Sequence, residues 1–232
     1  MKNILRKILP RRLISAARIL LIMHREHGHV NRRDGFPVNG RGEYQPWLTY
    51  PLIEYLKGFD FSQKRIFEFG AGSSTLFWAS RAKHVESVEL DRRWFDSLVK
   101  IVPDNVVLNH QSDGISYAQK IVEADGQFDV IVVDGAERYR SAEAALKKMI
   151  PGGMIILDNA EWYPNTAELL RGAGLIEVRF SGFSPVNAFT STSSVFLHRD
   201  FSFPLVTDAR QPPVGGVSIK GGTLDDGPRS GK

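Results

Sequence analysis

The sequence predicts an α/β protein with a seven-stranded, mostly parallel sheet, helices on both faces and an antiparallel strand pair at its C-terminal end. From Trp47 onward, apolar segments of strand length alternate with helical segments, a pattern typical of βαβ units. One of the strand candidates runs directly into a Gly-x-Gly turn. The last two strand candidates, Leu175–Ser181 and Ser193–Arg199, are joined by a short link without helical periodicity, so they should pair antiparallel.

The elements follow one another in a regular order. Helical periodicity begins at Pro51–Lys57. The five strands expected to be parallel are Arg65–Phe69, His84–Glu89, Val106–Asn109, Phe128–Asp134 and Met154–Leu157. The helices expected between and after them are Ser74–Ala82, Arg92–Ile101, Gly114–Ala124, Arg140–Met149 and Glu161–Gly172. Because parallel strands need crossover connections, the helices should cover both faces of the sheet.

Composition excludes several classes of protein. The 232 residues are 42% hydrophobic and 24% charged, which suits a soluble globular chain. The chain has no cysteine, so a disulfide scaffold, a zinc-thiolate site and a cysteine nucleophile are excluded. The net charge of +4 is uneven, since residues 1–33 carry nine Lys and Arg against one acid. The remainder is mildly acidic, and no nucleic-acid partner is expected.

Three regions are predicted: a basic helical extension at 1–33, a catalytic domain at 34–204 and a disordered tail at 205–232, rich in Gly, Pro, Asp and Ser. The extension is too short and too charged to span a bilayer, and it makes a poor signal peptide. Two interpretations of it remain. The helix either packs on the domain with a solvated basic face, or lies on an anionic membrane surface. We therefore expect a cytoplasmic protein, in the second case peripheral to the inner face of a membrane.

The most informative segment is Arg65–Thr75, in which a strand ends in an acid and is followed by glycines and hydroxyl residues. Gly70 and Gly72 allow a tight turn and close approach of a ligand, and the following helix begins at Ser73 and Ser74. Thr75 stands where a dinucleotide fingerprint needs Gly or Ala, and no Walker lysine is present. Glu68 could instead receive an ammonium group. A ligand with an amino acid at one end and adenosine at the other fits these features.

This segment resembles the first motif of the class I S-adenosylmethionine (SAM) dependent methyltransferases, which have a Rossmann-like fold. Further motifs of the family follow in order: Glu89 after the second strand, Asp113 after the third, Asp134 after the fourth and Pro151-Gly152-Gly153 before the fifth. The resemblance implies SAM as cofactor, with Glu89 accepting two ribose hydrogen bonds and Asp113 near the adenine. The implied cofactor-binding residues are Glu68, Gly70, Gly72, Ser73, Ser74, Glu89, Asp113 and Asp134. From the sequence alone, Glu89 could equally be a solvated strand-end acid and Asp113 a helix N-cap.

A narrower similarity concerns catalysis. Asp134 after the fourth strand and the Asp158-Asn159 pair after the fifth are similar to the Mg²⁺ site of catechol-type O-methyltransferases. Those enzymes place a Lys base three residues after the first Asp, whereas here the position is Glu137. The similarity implies Asp134 and Glu137 as catalytic residues and Asp134, Asp158 and Asn159 as metal ligands. The alternative is that Asp134 acts without metal and Asp158-Asn159 caps the next helix.

The acceptor is expected to be an oxygen of a small molecule or glycan. An Asn/Asp-Pro-Pro-aromatic motif after the fourth strand, which in related enzymes holds the amine of a base, is replaced by Asp134–Glu137. The acceptor pocket is expected at Trp47, Tyr50, Tyr139, Trp162 and the loop Phe183–Thr192. Two rival functions stay open: an NAD-linked oxidoreductase, and a membrane-surface binding protein whose domain is catalytically silent. The sequence leaves the oligomeric state undetermined.

Overall fold

The computed structural model describes residues 10–206 and 212–217. They form a seven-stranded sheet with helices on both faces, and a small antiparallel pair of two-residue strands, β1 (Arg32–Arg33) and β2 (Phe36–Pro37). The seven strands are β3 (Arg65–Phe69), β4 (His84–Glu89), β5 (Val106–His110), β6 (Phe128–Val133), β7 (Met149–Leu157), β8 (Ile176–Phe183) and β9 (Thr190–Leu197). The predicted fold class is confirmed.

The sheet order is β5-β4-β3-β6-β7-β9-β8, and only β9 runs against the other six strands. The chain builds outward from β3 to β5, then returns to pair β6 with the other side of β3. This reversal is a topological switch point, where open α/β sheets leave a crevice beyond the carboxyl ends of their strands. The predicted antiparallel pair is confirmed as β8 and β9, with Ile176 opposite Leu197.

The helices are α1 (Arg11–Arg25), α2 (Tyr50–Lys57), α3 (Ser73–Ala79), α4 (Arg92–Leu98), α5 (Gly114–Glu123), α6 (Arg138–Leu146) and α7 (Pro164–Gly172). A short 3-10 helix, Ala160–Trp162, precedes α7. The helix predicted at Glu161–Gly172 is therefore divided at Tyr163, because Pro164 opens a new helix. Helix α6 begins two residues before the predicted Arg140.

Alternation along the strands divides the apolar core between the two faces of the sheet. In β3, Phe67 and Phe69 pack with Tyr117 of α5, whereas Ile66 packs with Trp78 on the α2 and α3 side. Since side chains in a strand alternate with a period of two, Glu68 shares the face of Ile66 and is directed toward α3. This alternation determines which face of the sheet the side chain of Glu68 occupies.

The predicted extension and tail are described only in part. Helix α1 ends at Arg25, and no residue of that helix is buried. The chain then packs on the domain, where the Nδ1 atom of His29 lies 3.0 Å from the hydroxyl of Tyr50. Within the described ranges no helix is long and apolar enough to cross a membrane. The tail predicted at 205–232 falls largely on residues 207–211 and 218–232, which lie outside the described residues.

Candidate functional site

The turn after β3 forms the floor of a cavity at the switch point. Gly70 has a φ of 92°, and a Cβ atom there would lie 2.7 Å from the carbonyl oxygen of Asp134. The backbone amide of Asp134 in turn donates to the carbonyl of Phe69 at 3.0 Å. Both conformation and space therefore require glycine at position 70. A Cβ atom on Gly72, by contrast, would meet only ordinary contacts with Trp94, at 3.5 Å.

Glu89 ties the turn after β3 to the turn after β4. Its Oε2 atom accepts from the amide of Ala71 at 3.0 Å, and its Oε1 atom accepts from the amides of Leu90 and Asp91 at 2.8 and 2.7 Å. Burial raises the pKa of this carboxyl, and the amide donors oppose that rise. A carboxylate offers roughly four acceptor positions, so about one stays open, on Oε2. In this conformation Glu89 has room for one of the two ribose hydrogen bonds that the resemblance implied.

Trp94 forms an aromatic wall of the cavity beside Glu89, whose hydrogen bonds to the two turns we call the Glu89 clamp. Its indole nitrogen donates to the carbonyl of Ala71 at 2.5 Å, and its ring packs edge-on against Phe36 with centroids 4.8 Å apart. The residue is placed there by Asp91, whose side chain caps α4 by accepting from the amides of Arg93 and Trp94. Trp94 is thus held through its indole nitrogen and its backbone amide, and its half-buried ring lines the cavity next to Gly72.

Glu68 is predicted from the sequence to receive a ligand ammonium directly or through water, but it does not line the cavity, so a direct contact has no geometric support. It is fully buried beneath α3, where its Oε2 atom accepts from the hydroxyls of Thr75 and Ser87. Thr75 Oγ1 also accepts from the amide of Gly72 at 2.9 Å. The Oε1 atom of Glu68 has no hydrogen-bond partner among the described residues. Burial raises its pKa to about 7. Glu68 therefore braces the turn from below, through Thr75.

Two carboxylates from neighbouring strands line another wall of the cavity. Asp134 follows β6 and Asp158 follows β7, and both line the cavity. Asp158 is 4% exposed, and its Oδ1 atom accepts from the hydroxyl of Ser193 at 2.5 Å. Burial raises the pKa of Asp134, and the nearby charge of Asp158 raises it further. Burial likewise raises the pKa of Asp158, to about 6.

Arg138 holds these two turns together. Its guanidinium donates to the carboxylate of Asp134 at 3.2 Å, to the backbone carbonyl of Asp158, to the side-chain oxygen of Asn159 at 3.3 Å and to the carbonyl of Gly135 at 3.0 Å. The side chain is 9% exposed, and its guanidinium lies over the ring of Tyr163 at 4.5 Å. Arg138 is therefore a buried cation at the junction of β6 and β7.

The predicted Mg²⁺ site at Asp134, Asp158 and Asn159 does not fit this arrangement. Asp134 and Asn159 both accept from the Arg138 guanidinium, and Asp158 Oδ1 accepts from Ser193. No group of three or more His, Asp or Glu side chains suited to a metal occurs among the described residues. The Oδ1 atoms of Asp134, Asp158 and Asn159 each already accept a hydrogen bond, and Arg138 places a positive charge beside the two carboxylates.

Two further predicted residues lie away from the cavity. Glu137 has a left-handed backbone conformation with φ of 49°, which turns its side chain toward Gly114 and into an ion pair with Arg140 at 3.0 Å. It lines a separate cavity and cannot take the place of the expected Lys base. Asp113 is an exposed N-cap of α5, accepting from the amides of Ile115 and Ser116. The N-cap interpretation of Asp113 is therefore correct, and the adenine contact has no geometric support.

The remaining predicted cofactor residues, Gly70, Gly72, Ser73, Ser74, Glu89 and Asp134, surround a cavity of about 730 Å³. Four acids line it, Glu89, Asp91, Asp134 and Asp158, and among the described lining residues they face one basic side chain, Arg93. Such a cavity disfavours a pyrophosphate and favours a cationic ligand, because like charges at short range repel. The volume suits a small-molecule site.

The expected acceptor aromatics divide among three places. Trp47, Trp162 and Phe189 line the cavity, with Asn187 from the predicted loop beside them. Tyr139 lies instead at the second cavity, of about 830 Å³, which Trp162 also lines. Tyr50 is buried against His29 and does not reach either cavity. Trp162, which is 59% exposed, lines both cavities.

The sheet order, the β3 turn and the switch-point cavity together define the fold of the class I SAM-dependent methyltransferases. A protein assigned as an O-methyltransferase from Klebsiella pneumoniae superposes with a TM-score of 0.51 at 17% identity, covering 81% of this chain and 94% of that one. The O-methyltransferase from Bacillus cereus, solved with S-adenosylhomocysteine, superposes with a TM-score of 0.51 at 16% identity, covering 63% and 77%.

A protein assigned as an rRNA methylase from Clostridium thermocellum gives a TM-score of 0.51 at 16% identity, covering 67% of this chain and 99% of that one. At such identities the similarity establishes the fold alone. No protein-family model matches the sequence, and the comparison with curated proteins found no match.

Sequence reasoning missed three residues that shape the cavity: Asp91, Trp94 and Arg138. Asp91 and Trp94 had a detectable signal, because an Asp preceding a helix is a common N-cap and fixes the residue three positions later. Arg138 lies four residues after Asp134, a spacing at which opposite charges can meet.

Proposed function

We propose that this chain is a SAM-dependent methyltransferase that acts on a hydroxyl oxygen of an uncharged small molecule or glycan. The observation that carries the proposal is the acidic cavity at the switch point, bounded by the Gly70–Gly72 turn, the Glu89 clamp and Asp134. SAM carries a sulfonium and an ammonium against one carboxylate, so a cavity rich in acids favours it. NAD carries a pyrophosphate, which the same acids disfavour.

Within this proposal the chain's residues divide into three groups. Glu89 Oε2 would accept from a ribose hydroxyl, and the indole of Trp94 would bound the nucleoside. The backbone of Gly70–Ser74 would surround the amino-acid end of the cofactor, with no side chain at Gly72 to obstruct it. SAM, when bound, supplies the electrophilic methyl group. The protein's work is then to hold the acceptor in line and to exclude water.

Asp134 is the candidate base for the acceptor proton. It lies on the cavity wall, and its pKa is raised by burial and by Asp158, which brings it toward the range useful for proton transfer near neutrality. Arg138 positions Asp134 and limits that rise. The acceptor would enter past Trp47, Trp162 and Phe189, whose apolar faces and lack of charge suit an uncharged, ring-containing molecule.

Isothermal titration with S-adenosylhomocysteine tests the cofactor. Wild type should bind in the micromolar range, and Glu89→Gln should weaken binding at least about tenfold because the Oε2 acceptor is altered. Glu86→Gln is the matched control: it lies on the same strand but does not line the cavity, and it should bind like wild type. Folded wild type that fails to bind, or that binds NADH instead, would overturn the proposal. Transfer of labelled methyl from SAM to candidate hydroxyl acceptors then tests the reaction.

A further inference from the structure

Helix α1 carries a large apolar surface that the rest of the described chain leaves uncovered. Leu13, Ile19, Leu20 and Leu21 are all exposed, Leu20 to 70%, and none of the fifteen residues of the helix is buried. Exposed apolar residues are ordinary when they are scattered, but Leu13 and Leu20 lie on the same side of this helix, with Leu21 next to them. The catalytic proposal does not use this helix, which lies outside both cavities described above.

Among the described residues, α1 is attached to the domain through its C-terminal end. Ile22 lies against Gly215, where a Cβ atom would approach within 2.6 Å, and Met23 packs against the core around α2. At 100° per residue, Ile22 lies about 180° around the helix from Leu13, whereas Leu20 lies within about 20° of it. The face with Leu13, Ala17 and Leu20 is therefore directed away from the anchored side.

Charge distinguishes between the surfaces that could cover this face. All four charged residues of α1 are arginines, Arg11, Arg12, Arg18 and Arg25, and all four are exposed. Arg11, Arg18 and Arg25 recur every seven residues, so they form one stripe. At about 100° per residue this stripe lies about 120 to 160° around the helix from Leu13, between Leu21 and the anchored side at Ile22. Lys2, Arg6 and Lys7 precede the helix in the sequence. Pairing two copies of α1 would bring like charges together, which disfavours a second copy as the occupant.

We propose that α1 docks this protein on the surface of an anionic phospholipid bilayer. The apolar face would enter the headgroup region and the arginines would contact lipid phosphates, with their aliphatic stems along the apolar boundary. A helix whose polar face is basic and whose other face is leucine-rich has the pattern of an interfacial helix. The proposal does not depend on methyl transfer, because none of these residues lines the candidate site.

Vesicle flotation of the full chain tests the proposal. Binding is expected with vesicles of phosphatidylcholine mixed with phosphatidylglycerol and not with phosphatidylcholine alone. The double variant Leu20→Glu/Leu21→Glu should lose at least about tenfold in partition. The triple variant Arg11→Gln/Arg18→Gln/Arg25→Gln should lose on the order of 100-fold, from about 1 kcal/mol per charge. Ile115→Glu, an equally drastic change at a residue 64% exposed on α5, should partition like wild type.

Circular dichroism and S-adenosylhomocysteine titration of each variant separate loss of docking from loss of folding and from failure of the catalytic proposal. Equal partition of the variants and wild type would overturn the inference, as would no partition of folded wild type. Binding that is independent of phosphatidylglycerol would overturn the role of charge. Sedimentation without lipid that shows a dimer abolished by Leu20→Glu/Leu21→Glu would assign the face to a second copy instead.

Discussion

Replacing Glu68 by Gln should change how the stability of the protein depends on pH. In the folded protein this carboxyl is fully buried, and its pKa is about 7 instead of about 4.5. A difference of about 2.5 pKa units corresponds to about 3 kcal/mol of preference for the protonated form. The amide of Gln can accept the hydroxyls of Thr75 and Ser87 in place of Oε2, so the variant should fold.

The raised pKa of Glu68 determines whether the protein becomes more or less stable as the pH rises. A raised pKa means that the folded state binds the proton more tightly than the unfolded state, so the stabilisation is complete below about pH 4.5. It is lost as the pH rises through about 7, where the folded state must hold a buried carboxylate. Relative to Glu68→Gln, wild type should therefore lose about 2.5 kcal/mol of unfolding free energy between pH 5 and pH 8.

Urea unfolding followed by tryptophan fluorescence at several pH values between those limits measures this difference. Subtracting the unfolding free energy of the variant from that of wild type at each pH removes the contributions of other titrating groups, provided that these titrate alike in both proteins. Glu143→Gln, an exposed change on α6, is the control and should run parallel to wild type. If the difference between wild type and Glu68→Gln stays constant from pH 5 to pH 8, the assignment of a raised pKa to Glu68 is wrong.

Three other outcomes are expected. Gly70→Ala should lower the free energy of unfolding in urea by at least about 2 kcal/mol, because of backbone strain and a clash with Asp134. Gly174→Ala is the control: its φ is 85° but the space around it is open, so its loss of stability should be smaller and come from backbone strain alone. Asp134→Asn should lower the initial rate of methyl transfer at least about 100-fold, whereas Glu137→Gln should change it less than about twofold; the opposite order would restore Glu137 as the base. Arg138→Met should lower the free energy of unfolding by about 3 kcal/mol and shift the acidic limb of the pH–rate profile to higher pH. Wild-type activity should persist in EDTA. Wild-type activity that is lost in EDTA would contradict the role of Arg138 as the cation beside the two carboxylates.

The strands could be predicted closely where burial alternates or is continuous. The predicted bounds of β3 and β4 agree with the structure. Strand β7 begins five residues before the predicted Met154, since it continues through Pro151-Gly152-Gly153 with a register shift opposite Phe128. Proline and glycine indicate a break in a sequence, but a bulged strand can accommodate them.

The candidate site was predictable where position on the sheet decides it, and not where side-chain direction does. Glu89 ends β4 and Asp134 follows β6, the two strands that pair with β3, so strand order alone brings them to one cavity. Glu68 and Glu137 stand at the expected spacing, yet strand alternation buries the first and a left-handed turn redirects the second. The left-handed conformation of a non-glycine residue leaves no pattern in a single sequence.

The return of the chain to the centre of the sheet has a consequence for how the protein is made. The amide of Arg65 donates to the carboxylate of Asp129, a residue 64 positions later, and β3 meets β6 along the same seam. During synthesis β3, β4 and β5 can associate early, but Gly70 and Asp134 become neighbours only after this distant closure. A ligand that contacts both residues therefore binds only after β6 has paired with β3. By mass action, such a ligand stabilises the folded state relative to the chain in which this pairing has not formed.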